Sequence, residues 1–497
     1  MKAKKMKSLA FSLVCAAVLA ACNGDDGAIG PQGQQGVQGE QGLQGSQGVQ
    51  GEQGEAGQDG VANKVTALDV VITNARHAYA VYADSLIRAK ELQSKIDKLV
   101  AMPSQENFTA AKLAWLNARE PYGQSEVYRF REGPIDALTK NEQNEFVLVD
   151  EQGPEGAINA WPLAEAMIDY TITMGADNEA RGDDPIYQPG GNIIADAASF
   201  PSITKELLRS QFEINDESAN VSTGYHAIEF LLWGQDLNQD GTYTHERDYT
   251  AGHRAVSDYY TTANTQGLGD LVGTGTCTSG EAGAANDICT RRGAYLKAAA
   301  ELLVDDLQSV VDAWTPGSGF HYEDYIKEEN ATANLTAMLE SMGRLSYGEL
   351  AGERMSIAVR TDSQEDEHSC FSDNTHRDIL LNAKGVENHF FGQYTRIDGE
   401  QLLGAGIDDL LVSEGHAELA NELRVALEKS STAISVIDTN AKLGTSFDVQ
   451  IQMDKHKAEV YAAVDALAKQ TEVIQKALDA LGLNADDSLV GDTDEDI

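Results

Sequence analysis

Val65-Thr-Ala-Leu-Asp-Val-Val-Ile-Thr-Asn-Ala-Arg-His-Ala-Tyr-Ala-Val-Tyr-Ala-Asp-Ser-Leu-Ile-Arg-Ala89 is the stretch that decides the fold. Val65, Leu68, Ile72, Ala75, Tyr79, Tyr82, Leu86 and Ala89 recur at spacings of three and four, the repeat of one helix face. A stripe that long needs partner helices to cover it, which points to bundle packing. Pro103 stops the segment, and Ser104 offers an N-cap for a second helix carrying Phe108, Ala111 and Trp115. Pro121 lacks a backbone donor and is expected to end or kink that second helix. Helical rhythm continues near 160–174, 201–214, 222–234, 249–264, 291–313, 323–343, 345–357, 413–438 and 448–481, while strand-like alternation is scarce. The expected fold class is all-α. Polar runs at 175–198 and 267–287 read as loops, and a domain seam is expected near 236–248.

Upstream of the helices the chain changes character twice. Residues 1–7 carry four lysines, Ser8 to Ala20 is apolar, and Leu19-Ala-Ala-Cys22 follows. That layout is a secretory signal over 1–21 with a lipobox, so Cys22 is expected to be lipidated and to anchor the protein in a membrane. The apolar stretch is too short for a comfortable span. Asn23 after the cysteine favours the outer membrane by the bacterial sorting rule, with the globular part periplasmic or surface-facing. From Gly24 to Gly60 glycine then falls at every third position, thirteen times. Only glycine fits the axis of three wound polyproline-like strands, so residues 22–63 read as an anchor plus a collagen-like stalk, about 110 Å long and homotrimeric. Pro31 is the one proline in the repeat, which leaves a flexible Gly/Gln tether as the competing reading. Either way the segment is a spacer. At the other end, residues 486–497 are acidic and aperiodic, the composition of a disordered tail.

The full chain has a formal net charge of −42, and loss of the four lysines of residues 1–21 takes it to −46. Phosphate recognition needs a basic face, so nucleic-acid binding is excluded, as is docking on anionic lipid through a polybasic patch. Acidity of this size favours solubility and does not by itself define a metal site. Cys277 and Cys289 bracket a Gly/Thr/Ser/Ala-rich loop, where an oxidising compartment favours a disulfide. Cys370 is left over, either a buried structural thiol or a soft ligand.

Chemistry concentrates in Ser222-Thr-Gly-Tyr-His-Ala-Ile-Glu-Phe-Leu-Leu-Trp-Gly-Gln-Asp236. On a helix His226 and Glu229 leave one face a turn apart, and the apolar residues after them bury that helix. A buried carboxylate needs a partner or a metal. Gly-x-His-x-x-Glu followed by Trp-Gly-Gln-Asp resembles the signature of the imelysin family, which includes iron-regulated lipoproteins and an insulin-cleaving membrane protease. Ala114 to Glu126, Trp161-Pro-Leu, Glu349 to Met355 and Glu365 to Asp378 resemble the same family in the same order, over roughly residues 64–483.

The resemblance implies two packed, four-helix-bundle-like domains, taken here as 64–240 and 241–485. It also implies an envelope lipoprotein that binds iron, or an iron-containing ligand, in iron acquisition alongside iron-transport components. Expected metal residues are His226, Glu229, Glu365, His368 and Asp373, with Arg119, Glu126 and Glu353 orienting them. Glu365 and His368 have the acid-first spacing of three found in carboxylate iron sites of helical bundles, and Asp373 and His376 repeat it. Zinc is the alternative metal. A metallopeptidase using His226 and Glu229 is the alternative activity, although the chain lacks His-Glu-x-x-His and its inverted form because position 230 is Phe. A stalked structural or adhesion protein is the third reading. Asp236-Leu-Asn-Gln-Asp-Gly resembles the first half of a calcium loop, but Arg247 stands where a bidentate Glu belongs, so a plain turn is favoured over calcium.

Overall fold

Thr66 starts the first helix by a reciprocal cap: its hydroxyl oxygen accepts the Asp69 amide and the Asp69 carboxylate accepts the Thr66 amide. Helix α1 then runs Ala67–Ala101 without interruption. Ser104 caps α2, Gln105–Ser125, by accepting the Asn107 amide. The remaining long helices are α3 (Gly224–Trp233), α4 (Ile288–Trp314), α5 (Ala331–Arg344), α7 (Thr375–Phe391), α8 (Ala417–Lys442) and α9 (Asp454–Ala480). Between α5 and α7, α6 (Leu345–Ile357) is wound as a π-helix. This computed structural model describes residues 64–171, 192–236, 238, 247–265, 277, 288–364 and 366–484. The signal sequence, Cys22, the glycine repeat, the acidic tail, most of both polar loops, the calcium-like turn and Glu365 lie outside them.

The fold is all-α. Helix α1 packs on α2, α4 and α5, and α3 packs on α2 and α4. Helix α7 packs on α2, α6 and α8, while α9 covers α8, α6 and α5. The larger apolar core gathers Tyr82, Trp115, Tyr225, Leu303 and Leu339 from the first group. A second core, with Leu350, Ile379, Ile434, Phe447 and Leu467, lies among the later helices. Residues 61–497 form one compact unit. Two short hairpins, Leu138–Lys140 with Phe146–Leu148 and Gln393–Thr395 with Gln401–Leu403, decorate it. Among the described residues no helix is long and apolar enough to cross a membrane.

Three local expectations need correction. Pro121 sits inside α2, which continues to Ser125. The lost hydrogen bond is outweighed because Pro121, Tyr122 and Gly123 are buried, and Gly123 lets α7 approach so closely that an added Cβ would stand 2.8 Å from Leu381 Cβ. Of the 160–174 segment the described residues, up to 171, hold one helical turn, Glu165–Ile168, and 249–264 holds only the 3-10 turn Val256–Tyr259 with the start of Thr262–Thr265. Here the backbone bonds outward instead of to itself: the Arg254 amide to the Trp233 carbonyl and the Gly252 amide to the Phe371 carbonyl. Buried charge holds these irregular segments. Asp169 accepts from Arg292 at 2.6 and 2.9 Å and from Arg254 at 2.6 Å. Nearby, Cys277 and Cys289 are joined in a disulfide with their Cα atoms 6.0 Å apart, and Cys370 is a buried free thiol.

Burial, then Arg76, holds the His77 imidazole down to about 4, and burial, then Arg131, holds His389 well below its ordinary value. In the unfolded chain both regain values near 6.5. The unfolded state therefore binds these protons first, so stability is complete above pH 6.5 and declines as pH falls from there towards 4. The thermal midpoint of the wild type should drop between pH 6.5 and 5, before ordinary carboxylates titrate. A His77→Gln/His389→Gln variant should show a shallower drop, and equal slopes would count against the assignment.

Candidate metal-binding site

Helix α3 begins under a neighbouring turn with no room for a side chain. Gly224 has φ +83°, and a Cβ there would stand 2.4 Å from the Ile158 carbonyl oxygen. Both facts demand glycine, which accounts for the first residue of the Gly-x-His-x-x-Glu motif. Thr223 donates to the Ala157 carbonyl at 2.8 Å, and the Trp115 indole donates to the Tyr225 carbonyl at 2.9 Å, so the helix start is locked on two sides.

From this platform His226 and Glu229 project into the interior. His226 Nδ1 lies 2.8 Å from Glu229 Oε2, and both side chains are buried. Glu229 Oε1 accepts the Ser372 amide at 3.0 Å and its hydroxyl at 2.6 Å, so the carboxyl ties α3 to the turns before α7. Those turns supply a second imidazole. His368 Nδ1 lies 2.8 Å from Asp378 Oδ2, which also accepts the Ser369 hydroxyl. Asp378 Oδ1 accepts Arg119 Nε and Nη2, each at 3.1 Å. The His226 and His368 rings meet edge to face, 4.6 Å between centroids at 75°, and Trp161 abuts His368 at 5.2 Å.

Behind the imidazoles runs a ladder of buried charge. Arg354 grips Glu126 with Nη1 and Nη2 and donates to Asn382 at 2.7 Å, and Arg119 Nη2 lies 3.9 Å from the same Glu126. Glu349 bridges Arg354 at 3.3 Å and Arg129 at 2.8 Å. Burial works to raise the Glu126 carboxyl, but Arg354, His368 and Arg119 outweigh it and bring it down to about 2. Burial holds His226 well below its ordinary value, with His368 and Arg119 adding to the effect. Burial does the same to His368, helped by Arg354 and Arg119. Burial also holds Glu229 well above the usual carboxylate range, against the pull of its bonds from Ser372.

An imidazole that donates its Nδ1–H to a carboxyl oxygen presents Nε2 as a lone pair, and His226 and His368 each hold Nδ1 against a carboxyl group. Among the described residues Nε2 of His226 and Nε2 of His368 have no hydrogen-bond partner, and burial raises the nearby Glu367 carboxyl well above the usual range. All three side chains line one cavity of about 10 Å³, walled further by Trp161, Pro162, Leu163, Cys370 and Phe371. That volume is on the order of the space taken by one water molecule.

The structure thus brings His226, Glu229, His368, Arg119 and Glu126 together, and it places other expected residues elsewhere. Glu353 is exposed on the outer side of α6, and Arg354 occupies the site. An α-helix would align Glu349 with Glu353, four residues on, whereas a π-helix aligns residues five apart and so pairs Glu349 with Arg354. Asp373 does not line the cavity. Burial raises its carboxyl well above the usual range, with Asp448 and then Asp248 as the charged groups acting on it. His376 pairs with Asp438 of α8 at 2.9 Å instead of with Asp373. Arg247, at the last position of the calcium-like pattern, donates to the carbonyls of Asp448 and Asp362. Asp378, Ser372 and Glu367 were missed as site residues. All three lie inside the quoted 365–378 stretch, but nothing in their spacing separates them from other polar residues there.

An all-α body with a paired-histidine cavity at the junction of its helices, preceded in the sequence by a glycine repeat, defines a class: a helical protein with a buried imidazole site. The imelysin family model matches residues 78–474, and the chain belongs to that family. A collagen triple helix repeat model matches residues 21–65. In fold the chain is similar to an iron-regulated protein A precursor from Parabacteroides distasonis ATCC 8503, with TM-score 0.54 and 16% identity over 84% of this chain and 97% of that one. An imelysin-like protein from Psychrobacter arcticum 273-4 aligns with TM-score 0.48 and 13% identity over 84% of this chain and 98% of that one. No curated protein matches the chain.

Asp378→Ala leaves Arg119 buried without its closest carboxylate partner. The expected loss is about 3–5 kcal/mol of unfolding free energy, measured by denaturant titration. A loss below about 1 kcal/mol would mean that Asp378 does not hold the ladder.

Proposed function

We propose that the cavity between α3 and the 366–371 turns takes up a single iron ion, and that the protein is an envelope lipoprotein acting in iron acquisition. One observation carries this: His226 and His368 each hold Nδ1 against a carboxyl group and turn an unpartnered Nε2 to one small cavity. Metal-bound histidines are oriented in this way, with a carboxylate fixing the tautomer and raising the basicity of the other nitrogen. Glu229 and Asp378 are then positioning residues. Two imidazoles and a carboxylate are the donor set of many non-haem iron sites, and the Glu367 carboxyl stands on the same wall.

Among the described residues no group of three His, Cys, Asp or Glu stands in metal-holding geometry. The third donor therefore comes from a movement of Glu367 or from water. Size selects among ligands. A cavity of about 10 Å³ admits one ion and excludes both a haem-sized chelate and a peptide backbone, which weighs against the metallopeptidase reading.

Anaerobic titration of the purified chain with Fe(II), followed by calorimetry, should show one site. His226→Ala and His368→Ala should each weaken binding at least tenfold, and Glu367→Gln should weaken it less. Equal affinity in the wild type and the His226→Ala/His368→Ala double variant would remove the proposal. Zn(II) in a parallel titration decides between the two metals.

A further inference from the structure

Trp161-Pro-Leu163 has so far had no role in the site beyond a place in its wall. Of the described residues around the cavity, Trp161 and Pro162 are half-buried and the other six are buried. The side of the cavity nearest solvent is therefore the side that these two close. Trp161 sets its ring at 86° to the His368 imidazole with 5.2 Å between centroids, so one side chain touches both the histidine and the solvent.

Packing alone holds this indole. The chain is anchored just before it, where the Ala160 amide donates to the Gly156 carbonyl at 3.0 Å, and just after it, where the Ala164 amide donates to the Ala219 carbonyl at 2.7 Å. Between those anchors no hydrogen bond of residues 161–163 is found among the described residues. Trp115 is the contrast, its indole N–H fixed on the Tyr225 carbonyl. Pro162 fixes its own φ and restricts the backbone of the residue before it. The strap can therefore change little along its backbone. The freedom that remains is rotation of the indole about its side-chain torsions, which costs ring contacts but no hydrogen bond.

We infer that Trp161 is the gate of the cavity, swinging out to admit one small solute and back to shut it from water. What passes is the iron ion of the proposed site, and to that extent the gate rests on that reading; its opening does not. The closed cavity has room for about one water molecule, so an ion enters only after shedding most of its hydration shell. A sparsely populated open state then limits entry and escape alike. Trp161 sets how fast the ion exchanges, while the imidazoles set how tightly it is held.

Cys370, 8% exposed in the same wall, reports on opening without any metal. Cys277 and Cys289 are paired, so Cys22→Ser leaves Cys370 as the free thiol of the chain from residue 22 onward. Methyl methanethiosulfonate converts a thiolate to its methyl disulfide and releases methanesulfinate, at a rate here set by the fraction of time the cavity is open. Trp161→Ala should raise that rate at least about tenfold and Trp161→Phe should raise it less. Both rates should stay flat in dilute urea, because rotation of a side chain exposes little surface. Release of bound Fe(II) to an excess of a chromogenic chelator should be faster in Trp161→Ala by a similar factor. A labelling rate unchanged by Trp161→Ala, or one that climbs with urea as unfolding would make it, overturns the gate. Faster labelling in a chain that takes up no Fe(II) upholds the gate and removes the ion reading instead.

Discussion

Asp378 is the point on which the site depends. One carboxyl group, fully buried on α7, accepts from Arg119 of α2 on one oxygen and from His368 and Ser369 on the other. Moving a carboxylate out of water is expensive unless its lone pairs are satisfied, and here the donors come from helices far apart in the chain. The cost of leaving any of them unpaired forces α2, α7 and the 366–374 turns into one arrangement. His368 is thereby aimed at His226, and the cavity follows. A core made only of apolar contacts would tolerate more positions of these helices, because hydrophobic burial has no direction.

The π-helical winding of α6 serves the same network. It puts Glu349 and Arg354 on one line, so that Arg354 can clamp Glu126 while Glu349 joins it to Arg129. Alternating charges then extend from the imidazoles through Asp378, Arg119, Glu126 and Arg354 to the edge of the body. Burial, with Arg119 and Arg354 adding to it, keeps both rings neutral.

The long helices were legible because their apolar stripes are continuous: α1, α4, α8 and α9 each bury one face over several turns. The Gly-x-His-x-x-Glu stretch was legible because its chemistry is local, one helical turn carrying both groups. Segments 160–174 and 249–264 were misread as helices because their apolar spacing imitates one. In 249–264 the Arg254 and Gly252 amides bond to the Trp233 and Phe371 carbonyls, and in 160–174 the Ala164 amide bonds to the Ala219 carbonyl, a choice invisible in a periodicity. Glu353 stands exposed on the π-helical α6, where the local winding pairs Glu349 with Arg354.

By itself, the amino-acid order determined the helical class, the glycine repeat and the identity of the histidine-bearing helix, all of which rest on interactions within a few residues. Only the tertiary structure decided that His368 joins His226, that Asp378 and Glu367 belong to the cavity, and that Asp373 and Glu353 do not. Those outcomes depend on which buried polar groups satisfy one another across hundreds of residues. Sequence spacing carries no record of such pairings, because a carboxylate at a given position looks the same whether it meets an arginine, an imidazole or water.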